Sequence, residues 1–150
     1  MSAERPELDG VPRGMSPADA ELLTEALALL DSVYVAGRHE VASVMRTTDG
    51  TTVRGVHVEA SAGRASVCAE GAALAAAITS GSPTVEAIVS VLRRPSGTLH
   101  IIEPCGVCAE LLGDYAPDAR VWVAGGGSFA AIRVAELLPA RRARSRWNSP

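Results

Sequence analysis

The sequence predicts an α/β fold: a three-layer α-β-α sandwich on a mixed sheet of about five strands. Three features point there. Two β-rich runs, Val41 to Thr47 and Thr51 to Val58, flank Asp49-Gly50, a strong short-range signal for a tight antiparallel hairpin. A helical pattern precedes them, and alternating helix and strand patterns follow. That alternation covers both faces of a sheet with helices.

Each element has its own local reason. Residues 1–14 carry two prolines, two glycines and scattered charges without periodicity, which predicts a flexible leader. Ser16 is a good N-cap and Pro17 suits the first helical position. Leu22, Leu23, Ala26, Leu27 and Leu30 recur at helical spacing, so a helix runs to about Val33. The alanine- and leucine-rich run from Cys68 to Ile78 reads as a buried helix, with Gly81 where a C-cap would sit. Val85 to Leu92 is a strand. After a turn at Pro95-Ser96-Gly97, Leu99 to Ile102 leads into a helix from Cys105 to Leu112. Arg120 to Ala124 is another strand, Gly125-Gly126-Gly127 a loop, and Ile132 to Leu138 a last short helix. The domain therefore spans residues 15–140. Residues 141–150 form a basic tail, by default a run of solvated charges.

Bulk properties narrow the function. A chain of 150 residues is the size of one domain. A net charge of −3 disfavours nucleic acid, whose phosphates call for a basic face, so a small-molecule substrate is expected. No apolar stretch is long enough to span a membrane, and residues 1–7 lack the apolar core of a signal peptide, so a cytoplasmic protein is expected. Hydrophobic residues make up 47% of the chain, much of it alanine, which suits buried subunit contacts.

The chemistry lies in three cysteines: Cys68 in Cys68-Ala69-Glu70, then Cys105 and Cys108 in Pro104-Cys105-Gly106-Val107-Cys108. An odd count with two cysteines at metal spacing fits a reducing compartment better than a disulfide framework. Cys105 and Cys108, three apart at the start of a helix, face the same way. Cys68 can join them, with Glu70 nearby, if Cys68 is the non-helical entry to its helix and Glu70 lies in the first turn. Both cysteine groups then sit at helix N-termini, which favours thiolates. Three thiolates leave one tetrahedral position on Zn2+ open for water, and Glu70 is available to move protons there. The bland alternative is a structural zinc site or buried free thiols.

At these residues the chain resembles the cytidine deaminase superfamily, of the three-cysteine zinc type. Within it, Cys-Ala-Glu and Pro-Cys-Gly-x-Cys look like the small cytidine deaminases and the blasticidin S deaminases, from about His39 to Pro139. The resemblance implies the same sandwich fold, zinc held by Cys68, Cys105 and Cys108, and Glu70 as the catalytic proton carrier. The implied reaction is hydrolytic deamination of a cytosine-like ring. It also implies a homotetramer, with a homodimer second, because small deaminases of this type complete their pockets from adjacent subunits.

The substrate half departs from the pattern. Ordinary cytidine deaminases carry Asn-x-Glu for the ribose hydroxyls; this chain has His57-Val58-Glu59. Their Phe-x-Val-Gly-Ala segment is here His39-Glu40-Val41-Ala42-Ser43, so His39 takes the aromatic's place. The backbone N–H of Ala69 is expected to meet a ring carbonyl. Phe129, the chain's one phenylalanine, is expected in a pocket-forming loop or in core packing. Blasticidin S deaminases cover the substrate with a C-terminal tryptophan, which implies that role for Trp147 and its tail. Typical members also place an arginine after the glutamate; here Gly71 stands there, leaving the thiolate charge to helix dipoles, Arg64 or another group.

Glu103-Pro104-Cys105 resembles tRNA adenosine and guanine deaminases, which makes purine substrates a minor alternative. A deaminase of another heterocycle, or a zinc-stabilised binding module without turnover, are the other readings.

Overall fold

The computed structural model describes residues 4–81 and 84–143. Its first helix, α1 (Pro17–Val33), starts at Ser16, whose hydroxyl accepts from the Asp19 backbone N–H at 3.1 Å. Strands β1 (Val41–Thr47) and β2 (Thr52–Val56) form the antiparallel hairpin, with Gly50 at φ +86° in the turn. Helix α2 (Ala69–Thr79) follows, then β3 (Val85–Arg93), β4 (Leu99–Ile101), α3 (Gly106–Tyr115), β5 (Arg120–Gly125) and β6 (Ser128–Arg133).

The sheet has six strands in the order β2-β1-β3-β5-β6, and β4 pairs with β3 off this path. Only β3 and β5 run parallel. One edge of β3 carries β1 along nearly its whole length. The other edge is shared: β5 pairs at Ala87 and Ile88, and β4 at Val91 to Arg93. The sheet forks between them, and the chain from Ile102 to Cys105 leaves β4 at this fork.

Strand alternation divides the core into two layers. Ala42, Val44, Ala87, Val89 and Val91 face α1 and its Leu22, Leu23, Ala26 and Leu30. Met45 and Ile88 face the other way, toward Ala73 and Leu74 of α2 and Leu112 of α3. Helix α2 sits almost directly on β2. A Cβ at Gly55 would lie 2.2 Å from the Ala69 carbonyl oxygen and 2.3 Å from the Ala73 nitrogen, so only glycine permits this approach.

The structure departs from the sequence reading in three places. Residues 128–133 form β6, where Ile132 to Leu138 reads as helix; only a short 3-10 turn, Val134–Glu136, is helical there. The run Phe-Ala-Ala-Ile-Arg-Val-Ala-Glu is a good helix former, but antiparallel pairing to β5 from Arg120↔Arg133 to Gly125↔Ser128 overrides propensity. The leader, read as flexible, is docked in its described part. Leu8 is buried and its N–H donates to Leu99 O at 2.7 Å, while His100 Nδ1 donates to Pro6 O at 2.9 Å. The segment occupies the free edge of β4, which supplies the backbone partners its composition does not reveal. The basic tail begins pinned to α3: Arg141 reaches Glu110 at 3.0 Å and Asp114 at 2.7 Å.

Candidate active site

Cys68 is the N-cap residue of α2 and Cys105 that of α3, both with extended backbone; Glu70 and Cys108 lie in the first turns. The two N-termini converge on one point. The sulfurs of Cys68, Cys105 and Cys108 all lie within 4.8 Å of one another, and those of Cys68 and Cys105 are 3.5 Å apart. A tetrahedral ion with metal–sulfur bonds of about 2.3 Å sets its sulfurs roughly 3.8 Å apart, so the cluster fits zinc.

The electrostatics also ask for a cation. Burial pushes the Cys108 thiol up, and the negative charges of Glu70, Cys105 and Cys68 push it further, against the Gly71 N–H. Burial and Cys105 raise Cys68 as well. At Cys105 burial also acts upward, but the N–H groups of Cys108 and Val107 and the neighbouring thiols hold it below its ordinary value. Three ionised sulfurs cannot share this space alone, whereas a divalent ion removes the repulsion. Where relatives are expected to place an arginine, Gly71 offers its backbone amide to Cys108. Arg64 is exposed in the turn Gly63–Ala65 and does not line the cavity, whereas the backbone amides of Gly71, Val107 and Cys108 stabilise the sulfurs.

Beside the cluster lies a cavity of about 370 Å³. Its walls include Arg5, His57, Ala69, Glu70, Glu103 and Cys105, with Val41, Leu92 and Ile102 as apolar surface. Glu70 is 3% exposed. Burial pushes its carboxyl up; its own N–H, Ser90 and Cys108 oppose this, and the charge of Glu103 adds to the rise. A carboxyl raised above its ordinary range suits proton exchange.

The expected substrate residues separate into those that line this cavity and those that support it. His57 and Ala69 line it. His39 does not; its Nδ1 donates to the His57 carbonyl at 2.9 Å. Glu59 accepts from His57 Nε2 at 2.8 Å and from Ser66 Oγ at 2.9 Å, which hold its carboxyl below the usual range. Phe129 lies on β6, partly buried against the α1 side and lining a separate cavity with Trp122, so within one chain it stays away from the sulfurs. Trp147 lies outside the described residues.

Sequence reasoning missed Arg5, whose guanidinium pairs with Glu103. It also missed Ser43 and Ser90, fully buried partners in the β1–β3 register with hydroxyls 2.9 Å apart next to Glu70. The available signal for the latter was one serine in each of two apolar strand runs.

A mixed sheet with paired helix N-termini presenting three sulfurs and a buried carboxyl is the plan of a zinc-dependent hydrolytic deaminase. The sequence model of the cytidine and deoxycytidylate deaminase zinc-binding region matches residues 16–124, and the chain belongs to that family. It is 34% identical over 136 residues to the blasticidin-S deaminase of Bacillus cereus, covering 87% of this chain and 96% of that one. Its fold is similar to the cytidine deaminase of Burkholderia pseudomallei (TM-score 0.69, 25% identity, 85% of this chain and all of that one). The cytidine deaminase of Mycobacterium leprae gives TM-score 0.67 at 24% identity, over 83% of this chain and 99% of that one. Among the described residues no helix is long and apolar enough to cross a membrane.

Proposed function

We propose that this enzyme deaminates the cytosine ring of a nucleoside, such as cytidine, deoxycytidine or the antibiotic blasticidin S, to the oxo compound with release of ammonia. The observation that carries the reading is Glu70: buried, with Oε1 lacking any partner, in the cavity that Cys68 and Cys105 also line. A carboxyl buried without a full set of partners costs stability, and a proton-transfer role accounts for its presence.

Zinc, when bound, supplies the Lewis acidity that makes water a nucleophile near neutral pH. Glu70 takes a proton as water adds to the amino-bearing carbon, and delivers it to the adjacent ring nitrogen. A second proton passes through the same carboxyl to the amine. The carbon–nitrogen bond then breaks with its electron pair on nitrogen, and ammonia leaves. Ala69, which lines the cavity at the first turn of α2, is proposed to offer its N–H to the ring carbonyl. His57, held by His39 and Glu59, lies on the wall where a sugar would sit.

The relative from Bacillus cereus and the replacement of Asn-x-Glu by His57-Val58-Glu59 favour the antibiotic over plain cytidine. Another heterocycle is the second reading, favoured by Glu103 in the cavity. Ammonia release from cytidine, deoxycytidine, cytosine, blasticidin S and guanine decides among them. Turnover of a cytosine nucleoside is expected; release from guanine alone would move the assignment to purines, and release from none would leave a zinc-stabilised binding module.

The enzyme is proposed to be a cytoplasmic homotetramer, with a homodimer as the alternative. Val107, Leu111 and Tyr115, spaced by four on α3, expose an apolar stripe, 71%, 40% and 46% exposed, that suits a subunit contact. Light scattering that gives a monomer would overturn this.

A further inference from the structure

Among the described residues, four buried side-chain atoms have no hydrogen-bond partner: Tyr34 Oη, His57 Nδ1, Glu70 Oε1 and Glu103 Oε2. Three of the four belong to residues lining the zinc cavity. Two are carboxylate oxygens, which accept, and the third is the His57 ring nitrogen opposite the one bonded to Glu59. Buried acceptors left open at one place call for a ligand that brings donors. Glu70 and His57 have roles in the proposed reaction. Glu103 has none yet.

Glu103 is not capping α3, whose N-cap is Cys105. Its Oε1 receives the Arg5 guanidinium from the docked N-terminal segment, and Oε2 is left buried and open. Arg5 is itself fixed by its neighbours, since Pro6 O accepts from His100 and the Leu8 N–H donates to Leu99. Glu103 stands two residues before the ligand Cys105, and its charge is felt by Glu70, so it flanks the reacting end of the cavity. At that end a glycosylated cytosine ring offers one donor group, the exocyclic amine, with two N–H bonds. At that exocyclic position the oxo product offers only lone pairs, its one donor being the neighbouring ring N–H.

We propose that Glu103 Oε2 accepts a hydrogen bond from the exocyclic amine of the substrate, and that Arg5 is the positioning residue that turns this oxygen toward it. Glu103 thereby selects the amino over the oxo form, binding substrate and repelling product. This rests on the cytosine-nucleoside reading above.

The test uses zinc-loaded protein carrying Glu70→Gln, in which turnover is blocked. Calorimetry compares cytidine with uridine, and blasticidin S with its deaminated product. Adding Glu103→Gln supplies an amide N–H that suits the oxo group, so the preference for the amino form is expected to fall about tenfold or more, the scale of one charge-assisted hydrogen bond. Arg5→Ala should lower the preference about threefold and Arg5→Lys should restore most of it, as expected for a charge that acts through another residue. If both ligands weaken together and the ratio stays within twofold, Glu103 only anchors Arg5 and the proposal is overturned. If neither pair binds and the wild-type enzyme releases no ammonia from either nucleoside, the substrate reading falls and takes this inference with it. Binding with an unmoved ratio sinks the Glu103 assignment alone.

Discussion

Two buried carboxyl groups occupy opposite faces of the same sheet. Asp19, on α1, is 2% exposed and accepts from Arg46 Nη2 at 2.9 Å, Arg120 Nη2 at 3.2 Å and Trp122 Nε1 at 2.9 Å. Burial acts to raise it, but these donors prevail and its pKa lies below the ordinary value. Glu70, on α2, is 3% exposed, keeps Oε1 without a partner, and is pushed up. One carboxyl is saturated with donors and ties α1 to β1 and β5. The other is under-supplied, and its open valence faces a cavity. At similar solvent exposure, Asp19 is met by two guanidiniums and an indole N–H that outweigh desolvation, whereas desolvation prevails at Glu70; the first arrangement makes a structural tie, and the second suits the proton-carrying role proposed for Glu70.

The largest effect should come from removing the ion that Glu70 serves. Cys108→Ser is expected to lose stoichiometric zinc by metal analysis and to lose ammonia release altogether, and a strong chelator should do the same to the wild type until zinc is restored. Retained zinc and activity would disconnect the sulfurs from the chemistry. Next, Glu70→Gln should lower kcat by ~100- to 10,000-fold with zinc still bound. Its thermal stability should hold or rise, because the mismatch of a buried charge is relieved.

Asp19→Asn should do the reverse. Breaking one partner of a buried ion-pair group costs about 2–3 kcal/mol here, since Arg46 keeps Glu86 and the Ala18 carbonyl, and the melting temperature should drop by ~5–10 °C. The kcat of the folded protein should stay within about twofold. A comparable loss of kcat would mean that the two faces are coupled. The sign with pH is fixed as well. A carboxyl whose folded pKa is depressed contributes stability above its unfolded value of 3.8, and that contribution fades as pH falls through the folded value. Below pH ~4 the wild type should therefore lose stability more steeply than Asp19→Asn, as read by melts across an acid series.

The smallest effect concerns the geometry that aims Glu70. Gly55→Ala places a Cβ against the backbone of α2, so a cost of about 1–3 kcal/mol and a partial fall in kcat are expected together. A fall in stability with unchanged kcat would show that α2 can shift without disturbing the carboxyl.

These features were not equally legible in the sequence. Ser16-Pro17, Asp49-Gly50 and the two cysteine motifs announce themselves because a cap, a turn or a ligand pair is fixed by residues a few positions apart. The zinc group inherits that clarity, since each half of it is a helix N-terminus. Asp19 was opaque: its donors lie 27, 101 and 103 residues away and only the folded sheet collects them. The pairing of Arg5 with Glu103, 98 residues apart, was hidden for the same reason. Of β6, Ile132 and Arg133 fell inside the segment read as helix, and its pairing with β5 required the fold. His39 and Glu59 were found as positions, but that they act by holding His57 required the fold.

The fork where β4 and β5 part along one edge of β3 has a consequence for how such an enzyme changes. Ile102 is tied to β3 through its N–H to Ser90 O at 3.1 Å, so exchanging side chains at Glu103 would alter the chamber without unpairing a strand or moving α2. Substrate range is expected to drift by exchange of side chains at this seam while the hydrolytic machinery stays as it was, which makes it the place to begin redesign.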